Sequence, residues 1–331
     1  MKKSLKELYK RMILLESRKD LLVLIGPTAV GKTSLSIDLA KKIDGEIISA
    51  DSMQIYKYMN IGTAKVKREE MENIPHHLIN IVYPDEEFTV ADYKRNAEKY
   101  INKINELGKI PVVVGGTGLY INSLVYELRF TKVEANEDFR HKYNELADTC
   151  GNEYIHNELY KIDKASAKRI NPNDRKRVIR ALEIYHETGK PMSYYNKNFR
   201  REIDKYNLVM IGLTMDRAVL YSRINKRVDD MIKEGLVEEV EKLLNMGYNK
   251  ELVSMQGIGY KEIVSYLEGN ICLDKAIEAL KRNTRRFAKR QLTWFKRDKR
   301  IHWIDANEFN SMTDINNYLI SYTKNIINLN T

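Results

Sequence analysis

A chain of 331 residues has room for about two domains, and its 43% hydrophobic and 31% charged residues are the mix of a folded globular protein. Two cysteines, Cys150 and Cys272, far apart and outside any C-x-x-C pair, argue against a disulfide framework and a cysteine zinc site and fit a reducing cytoplasm. No apolar run approaches the roughly eighteen residues of a membrane span, and a net charge of +10 points toward a polyanionic partner.

Residues 1–20 read as a helical or frayed extension, because no sustained apolar segment leads to a cleavage site. The apolar run Leu21-Leu22-Val23-Leu24-Ile25 predicts a buried parallel strand, with a glycine turn after it and a helical pattern over Ser34 to Ala40. A second strand is predicted over Glu46 to Ala50, ending at Asp51-Ser52. After a crossover helix from Thr89 to Leu107 comes a third, Ile110 to Val114, ending at Gly115-Gly116-Thr117-Gly118. Residues 125–206 carry polar, helical patterning without a comparable apolar run and read as a helical insertion domain. Leu208 to Leu213 predicts a fourth strand, Asp274 to Arg297 a long helix, and Ile301 to Ile304 a fifth strand. Strands alternating with helices imply an α/β fold: a P-loop NTPase-like parallel sheet core covered by helices, with residues 1–124 and 207–331 as its two parts around the insertion.

Gly26-Pro27-Thr28-Ala29-Val30-Gly31-Lys32-Thr33 satisfies G-x-x-x-x-G-K-[ST] directly after a strand and before a helix. Glycines let backbone N–H groups converge on phosphate oxygens, Lys32 adds a point charge, and the Thr33 hydroxyl suits Mg²⁺. The strand ending in Gly115-Gly116 delivers no carboxylate, unlike that of an ordinary nucleoside triphosphatase, whereas the strand ending at Ala50 delivers Asp51. Asp51 is therefore a metal helper, a general base, or a turn and cap residue.

Gly257-Ile258-Gly259 lacks the third glycine and the preceding strand of a dinucleotide fingerprint, and reads as a turn presenting backbone or a plain loop between helices. Pro75-His76-His77 has no partner at zinc-like spacing, which favours a structural role. From Lys281 to Arg300 ten Lys or Arg stand against one Asp, with Phe287, Trp294 and Phe295 interleaved: a surface for tracking phosphates, or a solvated face over core aromatics.

Taken in order, the segments Gly26 to Thr33, Ser49-Ala-Asp-Ser-Met-Gln-Ile-Tyr56, Ile61-Gly-Thr-Ala-Lys65, Pro75-His-His-Leu78 and Val114-Gly-Gly-Thr-Gly-Leu-Tyr120 resemble the tRNA dimethylallyltransferases, also called tRNA isopentenyltransferases. So do Asn171-Pro-Asn-Asp174, Arg180-Ala-Leu-Glu183, Gln256-Gly-Ile-Gly-Tyr-Lys261 and Lys289-Arg-Gln-Leu-Thr-Trp294. The resemblance, of the shorter bacterial type, implies transfer of a five-carbon group from dimethylallyl diphosphate to N6 of the adenine 3′ of the anticodon, in tRNAs reading codons that begin with U. It implies Asp51 as the base and Thr28 as the residue bonding the bridging oxygen. Gly26 to Thr33 and Arg223 would hold the diphosphate, with Mg²⁺ at Thr33. It places tRNA against Asp51, Ser52, Met53, Gln54, Thr117, Arg140, Lys176, Arg177, Val178, Ile179, Arg180 and the run Gln256, Gly257, Ile258, Gly259, Tyr260, Lys261. A monomeric, cytoplasmic enzyme with no membrane partner is expected. The competing readings are a P-loop kinase of a nucleoside or small metabolite, which would need ATP, and a non-catalytic RNA-binding or nucleotide-switch protein.

Overall fold

The computed structural model describes residues 18–128, 133, 135–196, 201–324, 326 and 327. Most of the 1–20 extension lies outside the described residues, and its last two residues already belong to the sheet. The strands are β1 (Lys19–Ile25), β2 (Gly45–Ala50), β3 (His76–His77), β4 (Ile110–Gly115), β5 (Tyr206–Thr214) and β6 (His302–Asp305). They form one six-stranded sheet in the order β3-β2-β4-β1-β5-β6, parallel throughout. Leu21 through Ile25 are all 0% exposed, because β1 lies between β4 and β5 with helices over the sheet. That is why its sequence is a continuous apolar run and not an alternating one.

All five predicted strands are present. The sixth, β3, is a two-residue edge strand held by non-local contacts: His77 Nε2 lies 2.8 Å from Glu46 Oε2 and its ring stacks on Tyr100 at 4.2 Å. The crossover helix Val90–Glu106 starts where its sequence says it should. Thr89 Oγ1 accepts from Asp92 N at 3.2 Å and Asp92 Oδ2 accepts from Thr89 N at 3.0 Å, a reciprocal cap that satisfies two otherwise orphaned donors.

The chain forms two compact units. The first, comprising the described residues up to Leu124 and those from Asp204 onward, contains the sheet and two apolar cores. One core packs the helices Lys32–Lys42 and Met312–Lys324 with the sheet residues Leu22, Leu24, Val112 and Ile211. The other joins Ile55, Tyr56 and Met59, just beyond β2, to the helices Arg217–Lys233, Leu236–Asn245, Tyr260–Leu267 and Leu273–Phe295. The second unit, Val125–Ile203, has a helical core including Ile155, Leu159, Val178 and Leu182. β5 begins at Tyr206, the last residue of the predicted insertion, and the second unit ends three residues earlier, at Ile203.

One carboxylate organises the second core of the sheet unit. Glu239 accepts from the backbone N–H groups of Asn60 (2.8 Å), Ile61 (2.8 Å) and Gly62 (3.1 Å) and from the Tyr260 hydroxyl (2.8 Å). A loop of three aligned N–H groups has no intrinsic partner, and a carboxylate supplies charge-assisted acceptors. Replacing Glu239 with Ala should destabilise the full chain by about 2–4 kcal/mol, the cost of orphaning these donors. Urea unfolding measures this, and a change below about 0.5 kcal/mol would show that the loop does not depend on this carboxylate.

Candidate functional site

A cleft of about 600 Å³ opens at the carboxyl ends of β1, β2 and β4, where ligands bind in parallel α/β sheets. Its floor is the phosphate loop. Gly31 has φ +103°, a left-handed conformation suited to glycine, and it starts the helix Lys32–Lys42. Lys32 Nζ donates to the carbonyls of Gly26 (3.0 Å) and Pro27 (2.8 Å), which leaves one of its three N–H bonds for the cleft. Burial, reinforced by the nearby Arg227 guanidinium and opposed by the Asp51 carboxylate, lowers the Lys32 ammonium to about 7.

Asp51 leaves the end of β2 and lines the same cleft. Its Oδ1 accepts from Met53 N (2.8 Å) and Gln54 N (3.4 Å), so it does cap the turn; no hydrogen bond among the described residues uses Oδ2. The turn is held on three sides. Thr117 Oγ1 accepts from Ser52 N at 3.0 Å, and Thr117 N donates to Ala50 O at 3.1 Å. Gln54 Nε2 reaches Thr63 O at 3.2 Å. Met53 packs against Gly257, where an added Cβ would come within 2.4 Å of Met53 Cε. The Gly257–Gly259 segment is thus a turn before a helix, and it seats the Asp51 turn.

Two arginines one helical turn apart line the cleft from Arg217–Lys233: Arg223, expected from the sequence, and Arg227, which was not. The i, i+4 spacing was the signal that could have found it. Gln291, buried at 5% exposure within the cationic helix Leu273–Phe295, was also missed. Lys65 bonds Tyr56 O, Asn80 Oδ1 (2.7 Å) and Asn60 Oδ1 (3.3 Å), and so staples the loop that follows the Asp51 turn.

Several residues expected at an RNA surface have other work. Val178 (0% exposed) and Ile179 (4%) are core residues of the second unit, because Arg175–Thr188 is amphipathic, and of the expected run 176–180 only Lys176 and Arg177 are exposed. Tyr260 is 0% exposed with its hydroxyl on Glu239. Arg140 gives Nε to Glu183 Oε1 at 2.9 Å and Nη1 to Glu137 at 3.0 Å, and Arg180 bonds Glu183 and Val133 O. Burial works to raise the Glu183 carboxyl, but Arg180, the Asn136 N–H and Arg140 hold it below its ordinary value. Gln256, Ile258 and Lys261 keep partly or fully exposed surface in the first unit.

Thr33, exposed at the end of the loop, is the residue expected to hold a cation. Among the described residues no cluster of three or more His, Cys, Asp or Glu side chains could cage one. A hydroxyl beside a bound diphosphate nonetheless fits Mg²⁺, which takes most of its six oxygens from phosphate and water. No helix among the described residues is long and apolar enough to cross a membrane.

A six-stranded parallel sheet with a phosphate loop, a strand-end carboxylate across the cleft and two arginines beside it defines an α/β enzyme fold of the P-loop type that handles a phosphorylated substrate. The IPP transferase family matches residues 54–298, and the chain belongs to that family. It is 56% identical over 292 residues to the tRNA dimethylallyltransferase of Acetivibrio thermocellus, covering 88% of this chain and 93% of that protein. The solved tRNA isopentenylpyrophosphate transferase of Bacillus halodurans superposes with a TM-score of 0.67 at 46% identity, over 92% of this chain and 96% of that one. A eukaryotic dimethylallyltransferase solved acting on tRNA superposes at 0.76 with 31% identity, over 95% of this chain and 81% of its own. None of these likenesses supports the kinase reading.

A diphosphate bound beside a lysine held near 7 would favour its protonated form. Affinity for diphosphate should therefore fall as pH rises above 7, and binding at about pH 8 should take up a proton. Calorimetry in two buffers of unlike ionisation enthalpy should show this uptake in the wild type and its loss in Lys32→Met; equal proton numbers would contradict the assignment.

Proposed function

We propose that this protein transfers the dimethylallyl group of dimethylallyl diphosphate to N6 of the adenine 3′ of the anticodon in tRNAs reading U-starting codons, releasing diphosphate. The observation that carries this reading is the pairing of a phosphate loop with a carboxylate, Asp51, facing the same cleft from a different strand. Nothing in that arrangement requires a phosphoryl acceptor.

In the proposed reaction the allylic carbon–oxygen bond breaks as carbon bonds to the adenine nitrogen, and negative charge accumulates on the diphosphate. Lys32, Arg223, Arg227 and the loop N–H groups stabilise that charge more than they stabilise the substrate, which is what accelerates the step. Thr28 bonds the bridging oxygen as it becomes a leaving-group oxygen. A cation such as Mg²⁺, held by the Thr33 hydroxyl and diphosphate oxygens, would supply further neutralisation. Asp51 Oδ2 accepts the amine proton; the nitrogen becomes strongly acidic once alkylated, so a late transfer to a carboxylate suffices. Ala29, Val114 and Phe287, which also line the cleft, offer an apolar wall for the five-carbon chain.

The target base must leave its stack to reach a cleft floor, and a loop nucleotide leaves more readily than one in a duplex. The exposed face of Leu273–Phe295, with Arg286, Lys289 and Arg290, gives the RNA backbone an electrostatic track, and the second unit has its own exposed cations, Lys176 and Arg177. Because one chain supplies the whole cleft, we propose a monomeric enzyme, acting in the cytoplasm where its tRNA substrate is.

Asp51→Ala should lower kcat by roughly 100- to 10,000-fold, the usual worth of a positioned base, while anticodon stem-loop affinity stays within a few-fold. A parallel loss of binding would contradict the base role. Arg286→Ala and Lys289→Ala should each reduce the slope of log affinity against log salt by about one unit, and an unchanged slope in both would remove that face from the RNA contact.

A further inference from the structure

Gln291 is an uncharged residue four positions before the C-terminal end of the cationic helix Leu273–Phe295, and its side chain points inward. Its Oε1 accepts the Thr28 N–H at 2.9 Å, and its Nε2 donates to the Gly116 carbonyl at 3.0 Å. It is 5% exposed. The two groups it joins belong to the loops after β1 and β4, which carry the diphosphate-binding and base-seating residues. The fit is close: a Cβ on Gly116 would lie 2.0 Å from Gln291 Nε2, and a Cβ on Gly118 would lie 2.3 Å from the Trp294 ring three residues further along the same helix. Two glycine positions just after β4, 116 and 118, therefore leave room for side chains of this helix.

In P-loop sites the loop N–H groups serve the phosphate, yet here the Thr28 amide is taken by a side chain. The peptide between Pro27 and Thr28 is held on both sides, its carbonyl by Lys32 Nζ at 2.8 Å and its N–H by Gln291 at 2.9 Å, so the backbone that carries the Thr28 side chain is tied to where the helix sits. We infer that Gln291 is a positioning residue which locks Thr28 to the basic helix, so that alignment of the Thr28 hydroxyl with the diphosphate depends on seating of the same helix that meets RNA. The inference rests on the proposed transfer reaction and deepens it: one side chain connects the surface for one substrate to the leaving-group site of the other.

The test is a double-mutant cycle on the full chain with Gln291→Met and Thr28→Val, assayed for prenyl transfer. Gln291→Met should lower kcat by about 100-fold, the effect of a small misplacement at a reacting centre, with KM for RNA within about threefold. If Gln291 acts through Thr28, the double variant should be within about threefold of the worse single variant; multiplicative losses would overturn the inference. Gln291→Glu keeps the falsification independent of folding of the Met variant. Its protonated carboxyl reproduces both hydrogen bonds, whereas its carboxylate sets a negative oxygen against the Gly116 carbonyl. The ratio of its kcat to wild type should rise as pH falls, and a flat ratio would count against the inference; taking the ratio removes the titration of Lys32 and Asp51 in the same cleft. If the wild type transfers nothing, the proposed activity has failed, and the inference is then decided by hydrogen exchange of the Thr28 amide: slow in wild type and fast in Gln291→Met supports it, equal rates overturn it.

Discussion

The proposed reaction depends on holding a concentrated negative charge at the open end of a buried parallel sheet. Loop N–H groups and one lysine can do this only if their own geometry is already paid for by the fold, because an anion site that must rearrange loses most of its advantage. β1 supplies the rigidity: all five residues from Leu21 to Ile25 are fully buried between two neighbouring strands, and the loop leaves its end into the helix Lys32–Lys42. Burial first, and the Arg227 guanidinium second, lower the Lys32 ammonium to about 7, the cost of gathering cationic groups at a site without its anion.

The carboxylate opposite is fixed by different means. β2 and β4 approach so closely at their ends that a Cβ on Gly115 would come within 2.2 Å of Ala50 O. Thr117 then ties the next residues together, Gln54 ties the turn to the loop at Thr63, and Glu239 gathers that loop against Tyr260. The Asp51 turn is thus braced from the sheet and from the second helical core. Of the readings open for Asp51 from the sequence, the cap is visible: Oδ1 accepts from Met53 N and Gln54 N, and the proposed base role falls to Oδ2.

The sheet was readable because buried parallel strands are continuous apolar runs, and the phosphate loop because its glycines and lysine have fixed spacing between a strand and a helix. β3 was not readable as a strand, since two residues have no periodicity and its hold comes from Glu46 and Tyr100, distant in sequence. At the site, Asp51 was legible from its place at a strand end. Val178, Ile179 and Tyr260 have buried side chains: a contiguous segment carried over by resemblance mixes exposed and core positions, which only the helix faces separate. Gln291 and Glu239 were invisible for the opposite reason: each acts through a partner more than a hundred residues away, and a charge pattern alone cannot show where a side chain points; Arg227 was signalled only by its i, i+4 spacing from Arg223.

The central claim is that the phosphate loop holds a leaving diphosphate and not a phosphoryl donor. Mass spectrometry of an unmodified anticodon stem-loop RNA, incubated with the protein, Mg²⁺ and dimethylallyl diphosphate, tests it most directly, with ATP in a parallel reaction. The account predicts a five-carbon adduct on the adenine 3′ of the anticodon, formed without ATP. ATP consumption with no adduct, on the stem-loop and on full-length unmodified tRNA alike, would contradict it.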